Sequence, residues 1–418
     1  MKQHNLRRIL PLALVCAAVS GFTFTGFESG RKAGPVTGCR SACLIDADSG
    51  ECVYSLNEHA RMPIASVCKV MTLTLCLDAV EDGKISLDDE VDVSENASGM
   101  GGSQIFLHSG GRYPLRELIK SIVVCSANDS CVAVAEYVCG SEEQFVAEMN
   151  KKAEQLGLDD TLFANCTGLP EDTQYSCAAD VAAMFANLLR HEVYFGFSKV
   201  WLENFEHTDG RVTVMTNTNK LLRRYNGCDG GKTGFTGEAG YCLAGTAKRG
   251  NLRFVAAVLG GDTSEHRFSS AAALFDYGFA NYENQVILDS TVTLNDDFEL
   301  RGGRKATFSV LPGENCYLFT AKNKENNVTF RVFDYKVKAP VRRGDEVGCI
   351  EVYKDGVLYK KVRKVLEKNL SERHIRGGMA TRNKYLKCKK CVCKHGEECG
   401  SHLCGCENGC SCGSAENG

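Results

Sequence analysis

The sequence is short of three things. It has no uninterrupted apolar stretch of the about 20 residues that a membrane-spanning helix needs. The apolar run from Ile9 to Phe24 is broken by Pro11, Ser20, Gly21 and Thr23. It has little net charge, −3 over 418 residues, which argues against a nucleic-acid partner or a strong membrane field. It also has no His-Glu-x-x-His pair for a catalytic zinc, because His191-Glu192 continues to Phe195 where the second histidine would stand. What is present is an ordinary globular composition, 44% hydrophobic and 24% charged, with length for about two or three domains.

The first residues carry an address. Lys2, Arg7 and Arg8 precede the short apolar run, the pattern of a secretory signal, with a small-x-small cleavage site at Ala18-Val19-Ser20. Cys16 does not make a lipobox, since Leu14 lies at −2 rather than −3. Residues 1–28 are therefore expected to be a signal peptide and the protein to be exported. The sequence contains 23 cysteines, of which the first fifteen are scattered through apolar runs such as Ala42-Cys43-Leu44-Ile45 and Tyr241-Cys242-Leu243-Ala244. Disulfide frameworks belong to small domains without a core, so these cysteines are expected to pack as small hydrophobes.

Along the chain the texture changes twice. From about Gly38 to Tyr282, strand-like and helix-like stretches alternate. Ala42–Asp46 and Cys52–Ser55 read as a hairpin, and Ser66–Val80 and Leu115–Tyr137 have apolar residues at helical spacing. Tyr241–Lys248 and Leu252–Gly260 read as strands joined at Arg249-Gly250-Asn251, and Ser264–Tyr277 as a helix. Strands at both ends with helices between them predict an α/β domain around one mainly antiparallel sheet. From Gln285 to about Glu367 only short alternating stretches occur, with Asp355-Gly356 a strong hairpin turn, predicting a small all-β domain. Beyond Ser371 no apolar face remains. The divisions expected are 1–28, 29–283, 284–370 and a basic, cysteine-rich tail over 371–418.

Three short elements carry chemistry. In Ala65-Ser66-Val67-Cys68-Lys69, Ser66 and Lys69 are nearly one helical turn apart and face the same way. A serine hydroxyl is a weak nucleophile until a base takes its proton, and a partly desolvated lysine can do so. In Ser126-Ala127-Asn128, a turn between two helices can present Ser126 and Asn128 to one cleft; the plainer alternative is a helix cap. In Lys232-Thr233-Gly234-Phe235, a strand places a lysine and a hydroxyl where an anionic C-terminus can bind, and the glycine lets a substrate backbone lie close. Each element alone also fits an ordinary surface turn, cap or strand.

Their order decides. Ser-x-x-Lys, Ser-x-Asn and Lys-Thr-Gly in sequence form the signature of penicillin-binding proteins and serine β-lactamases. Met62-Pro63-Ile64-Ala65-Ser66, Gly102-Ser103-Gln104, Ser126-Ala127-Asn128-Asp129, Asn165-Cys166-Thr167-Gly168-Leu169 and Lys232-Thr233-Gly234-Phe235-Thr236 resemble the low-molecular-mass D-alanyl-D-alanine carboxypeptidases of peptidase family S11. The resemblance runs from about Gly38 to Lys364. It implies an α/β (α+β) fold, with a serine β-lactamase/DD-peptidase-like catalytic domain and a small C-terminal β-sandwich. It also implies removal of the terminal D-alanine from peptidoglycan stem peptides through an acyl-enzyme, with β-lactams as inhibitors and no cofactor. Ser66 would be nucleophile, Lys69 general base and Ser126 proton relay. Asn128, Lys232, Thr233, Gly234 and Phe235 would bind substrate, with backbone N–H groups of Ser66 and Phe235 forming the oxyanion hole. The expected place of work is the outer face of the bacterial cytoplasmic membrane or the wall space.

Two rivals share parts of this pattern. A class A β-lactamase needs a Glu-x-x-Leu-Asn element, which the stretch Asp160–Asp172 lacks, and Ala127 replaces its usual aspartate. A non-catalytic wall-binding protein predicts damage to one of the three elements, and none is damaged. The tail departs from the family. Arg373–Lys394 carries eight basic residues and no acidic one, suiting peripheral contact with anionic lipid or wall polymer. Cys388, Cys391, Cys393, Cys399, Cys404, Cys406, Cys410 and Cys412 follow, closely enough spaced to hold zinc or another soft metal, with disulfides or free thiols as alternatives.

Overall fold

Leu252–Gly261 is the middle strand of the principal sheet, and it is buried on both faces. Val255, Ala257 and Leu259 enter one core, whereas Phe254, Ala256 and Val258 enter another, so the strand reads as an unbroken apolar run. The computed structural model describes residues 34–369 except 299, 302–305, 336 and 339, together with 403–404. The expected signal peptide over 1–28 lies outside the described residues. So does the tail over 371–418, apart from Leu403–Cys404. No helix among the described residues is long and apolar enough to cross a membrane.

The sheet has five antiparallel strands in the order Cys52–Leu56, Ser41–Asp46, Leu252–Gly261, Gly240–Arg249, Cys228–Thr236. Helix Ser264–Asn281 covers one face through Phe268, Leu274 and Phe275. The other face meets a larger cluster to which Lys69–Glu81, Leu115–Cys125, Asn128–Cys139 and Ala178–Leu188 contribute. Two expectations are refined. The element expected from Ser66 opens with a 3-10 turn, Ala65–Cys68, before the α-helix starts at Lys69. The apolar stretch Leu115–Tyr137 is two helices broken at Ser126, which adopts the left-handed conformation at φ 67°, ψ 33°.

From Tyr282 to Leu366 the described residues contain strands only. Glu346–Lys354 and Val357–Leu366 pair across the turn Asp355-Gly356, where both residues have positive φ as the two-residue hairpin requires. They join Leu294–Phe298, Ala306–Pro312, Val328–Asp334 and Leu403–Cys404 in a six-stranded sheet. Leu288, Cys316 and Leu318 of the pair Tyr282–Leu288/Cys316–Ala321 pack against Phe330, Ile350, Val352 and Val362 of that sheet. This is sheet-on-sheet packing, as expected of a sandwich.

Candidate active site

The site is built where the edge strand Cys228–Thr236 passes the 3-10 turn Ala65–Cys68. Gly234 makes the approach possible: a Cβ there would lie 2.6 Å from the Ile64 carbonyl and 3.1 Å from the Ser66 nitrogen. The far side of the turn is equally close. A Cβ on Gly168, at φ +79°, would meet the Ala65 carbonyl at 2.0 Å. Residues i and i+3 eclipse in a 3-10 turn, so Ser66 and Lys69 are drawn together, with Nζ 2.9 Å from Oγ.

Lys69 is fully buried and has two further partners, Asn128 Oδ1 at 2.7 Å and the Thr167 carbonyl at 2.5 Å. Both are oxygens that only accept, because Asn128 donates its amide NH2 to the Gly101 carbonyl at 2.7 Å. Two N–H groups of the amine are thereby committed. The third position, facing Ser66, holds an N–H when the lysine is charged and a lone pair when it is neutral. That is the geometry of a base that can take the serine proton.

Ser126 closes the helix Leu115–Cys125 through its backbone, but neither its side chain nor that of Asn128 caps a helix. Helix Asn128–Cys139 begins after Ala127 without a side-chain cap, and both side chains turn to lysines. Lys232 Nζ donates to Ser126 Oγ at 2.8 Å and to the Thr233 carbonyl at 2.9 Å. The left-handed backbone at Ser126 ends one helix and lets the next start two residues later, so that Ser126 and Asn128 serve the same site. Asp129 braces the opposite wall, accepting the backbone N–H groups of Ile105 and Leu107 at 3.1 and 3.0 Å.

The strand supplies the remaining residues. Thr233 is buried and donates its hydroxyl to Thr218 at 2.7 Å. Arg267, from the helix across the sheet, donates to the Gly234 carbonyl at 2.9 Å. A trans peptide points its C=O and N–H in opposite directions, so this bond turns the Phe235 N–H away from Arg267. The Phe235 ring stacks on Tyr241 with centroids 4.3 Å apart and stays 55% exposed.

The electrostatics are unusual. Lys69, Lys232 and Arg267 are all buried, and their hydrogen-bond partners are neutral oxygens. Burial, reinforced by the positive charge of Lys69, holds Lys232 well below its ordinary pKa. A site of this kind favours an incoming carboxylate. The neighbouring thiols do not compete for the chemistry, since burial pushes Cys68 and Cys131 up to about 12 and Cys125 up to about 11.

Motif reading brought Ser66, Lys69, Ser126, Asn128, Lys232, Thr233, Gly234 and Phe235 to one site, and the structure places them together. It missed Arg267, Thr218 and the Thr167 carbonyl. The last is held out by Asn165, whose Oδ1 accepts from Thr167 N and Gly168 N at 3.1 and 2.7 Å.

A family model described as D-alanyl-D-alanine carboxypeptidase, peptidase S11, matches residues 31–263. The D-alanyl-D-alanine carboxypeptidase DacF of Bacillus subtilis is 36% identical over 84% of this chain and 91% of its own length. The chain belongs to the D-alanyl-D-alanine carboxypeptidase family, peptidase family S11. Its activity is accordingly that of a serine-type, penicillin-binding D-alanyl-D-alanine carboxypeptidase, and this family works without a cofactor.

Other comparisons agree with that family. The carboxypeptidase DacC of Escherichia coli is 30% identical over 85% of this chain and 91% of its own. A Streptococcus pneumoniae structure described as a peptidoglycan synthesis regulatory factor (PBP3) superposes with TM-score 0.68 at 25% identity, covering 80% of this chain and 99% of that one. Penicillin binding protein 5 of Haemophilus influenzae gives 0.61 at 28% identity, covering 80% and 98%. A second family model, described as Stage III sporulation protein D, matches only residues 351–389, a stretch that begins in the β-hairpin Glu346–Lys354/Val357–Leu366. The rival with a glutamate-based deacylation motif finds no support in the geometry: the Thr167 carbonyl and Asn128, not a carboxylate, flank Lys69.

Proposed function

We propose that Ser66 is the nucleophile of this carboxypeptidase and Lys69 its general base. Lys69 accepts the Ser66 proton as Oγ attacks the carbonyl between the two terminal D-alanines, and its other two N–H groups stay on Asn128 and Thr167. The oxyanion is received by the N–H groups of Ser66 and Phe235, donors fixed in advance by the 3-10 turn and by the Arg267 anchor on Gly234. Ser126 passes a proton to the departing D-alanine, and its bond to Lys232 orients the hydroxyl. Lys232 and Thr233 bind the terminal carboxylate, and Asn128 positions the stem amide. Water then cleaves the ester and restores Ser66.

The observation carrying this reading is the 2.9 Å contact between Ser66 Oγ and a buried lysine whose other partners only accept hydrogen bonds. A β-lactam presents a carboxylate and a strained amide to the same groups, so it should acylate Ser66. Fluorescent penicillin followed by peptide mapping tests this: label on the Ser66 peptide is expected, and equal labelling of Ser66→Ala defeats the assignment.

Export through the segment 1–28, work on the outer membrane face or in the wall space, and a role in cell shape complete the proposal. The catalytic unit is proposed to span 29–283 and the β-sandwich 284–370. The tail is proposed to make peripheral wall or membrane contact through its basic run. Its cysteines, Cys388 to Cys412, are proposed to bind a soft metal, which elemental analysis of the purified protein checks.

A further inference from the structure

Cys43 and Cys52 stand on neighbouring antiparallel strands at the edge of the principal sheet, with sulfurs 3.6 Å apart. Their meeting depends on an irregularity. Cys43 pairs with Ser55 and Leu44 with Tyr54, but Ile45 pairs with Cys52, leaving Val53 as an extra residue. Without that bulge Cys52 would stand opposite Asp46, on the other face of the sheet from Cys43, because one residue of slip reverses every side chain. The bulge puts both sulfurs on one face.

We infer that Cys43 and Cys52 form a thiol–disulfide site, remote from the reaction centre, that closes by exchange with a small disulfide such as oxidised glutathione. The two thiols are unlike. Cys52 is exposed, whereas Cys43 is 1% exposed and belongs to the core. The 3.6 Å contact lets either sulfur donate; with Cys43 as the donor the Cys52 thiolate is favoured and its pKa falls to about 7, while Cys43 is pushed far upward. Cys52 is thus the attacking sulfur and Cys43 the resolving one.

The exchange balances in two steps. The Cys52 thiolate attacks one sulfur of the small disulfide, breaking its S–S bond and releasing one thiolate, which takes up the proton of Cys43. The Cys43 thiolate then attacks Cys52 sulfur and displaces the second small thiolate, which is protonated by solvent. Two protein thiols are oxidised and one small disulfide is reduced to two thiols. A divalent ion is the competing occupant of this neighbourhood, where the ligand atoms of His59, Asp160 and Cys177 lie within 4.8 Å of one another. Asp160, however, already pairs with Arg61 at 2.9 Å, and Cys177 Sγ accepts the Asp180 N–H at 3.4 Å. An ion must displace a cation there, whereas the two sulfurs need only approach.

Differential alkylation and peptide mapping of the full chain, before and after oxidised glutathione, tests the site. The expected result is a cross-linked Cys43–Cys52 peptide, while Cys68, Cys76 and Cys131 are recovered as thiols. Cys43→Ala should leave Cys52 as a glutathione mixed disulfide and slow its alkylation at pH 7 by roughly tenfold. Cys52→Ser, at an exposed position, should abolish the cross-link without loss of fold. Recovery of Cys43 and Cys52 as free thiols after oxidation, or of either joined to another cysteine, overturns the proposal. So does a Cys52 alkylation rate unchanged by Cys43→Ala.

Discussion

Between Ser41 and Asn281 the protein buries Lys69, Lys232, Arg267, Asp129, Ser126 and Asn128. Between Tyr282 and Leu366 the buried residues are Leu288, Leu318, Phe330, Ile350, Val352, Val362 and their like, with Thr320 and Lys364 the polar exceptions among the described residues. The first region is a sheet covered by helices and the second contains strands only among the described residues; both have apolar cores, and the sharper contrast is in polar burial. Taking a cation from water costs several kcal/mol even after relaxation. Three buried basic side chains on neutral oxygens in one site are therefore a stability burden, of the kind that clusters where chemistry is done. The β-region follows the ordinary rule that interiors are apolar, which fits support rather than reaction.

The contrast breaks most sharply at Lys69. Lys69→Ala should lower turnover of a D-Ala-D-Ala peptide by about a thousandfold, the usual scale for losing a general base. Asn128 Oδ1 and the Thr167 carbonyl lose their donor in this variant, so a circular-dichroism melt beside the rate assay checks that the fold is retained. Lys232→Gln comes next. In the proposed mechanism Lys232 binds an anionic substrate in its charged form, and that charge is lost as pH rises through a value well below the ordinary lysine range. KM should therefore climb at alkaline pH in the wild type. Lys232→Gln should raise KM roughly ten- to hundredfold and remove that limb, as a KM–pH profile would reveal.

The β-region should respond in the opposite sense. Ile350→Ala empties a fully buried site and should cost about 3 kcal/mol of stability by chemical denaturation. Below the unfolding transition its kcat should match wild type, and a large fall in kcat would deny that this region is only support. The smallest effect is expected at Cys125→Ala. Its thiol stays protonated at neutral pH, so turnover should change less than about threefold and be insensitive to mild alkylation.

What could be read from the sequence follows a physical line. Ser66, Lys69, Ser126, Asn128 and Lys232 meet through their side chains, so residue identity and spacing expose them. The Thr167 carbonyl acts through the backbone, which any residue supplies, and only Asn165 beside it hints at a shaped loop. Arg267 lies on another element, joined to Gly234 across the sheet, and no local spacing reveals such a contact. The 3-10 opening at Ala65 depends on close approach by Gly168 and Gly234, a tertiary demand that overrides helical periodicity. The hairpin of Ala42–Asp46 with Cys52–Ser55 and the one turning at Asp355-Gly356 are legible because turn chemistry is local.

The most direct test of the account is release of D-alanine from a pentapeptide ending in D-Ala-D-Ala, by wild type and by Ser66→Ala. One D-alanine per stem peptide from the wild type and none from the variant is the predicted result. Release that persists in Ser66→Ala, or rapid penicillin hydrolysis by the wild type with the peptide left intact, would contradict it.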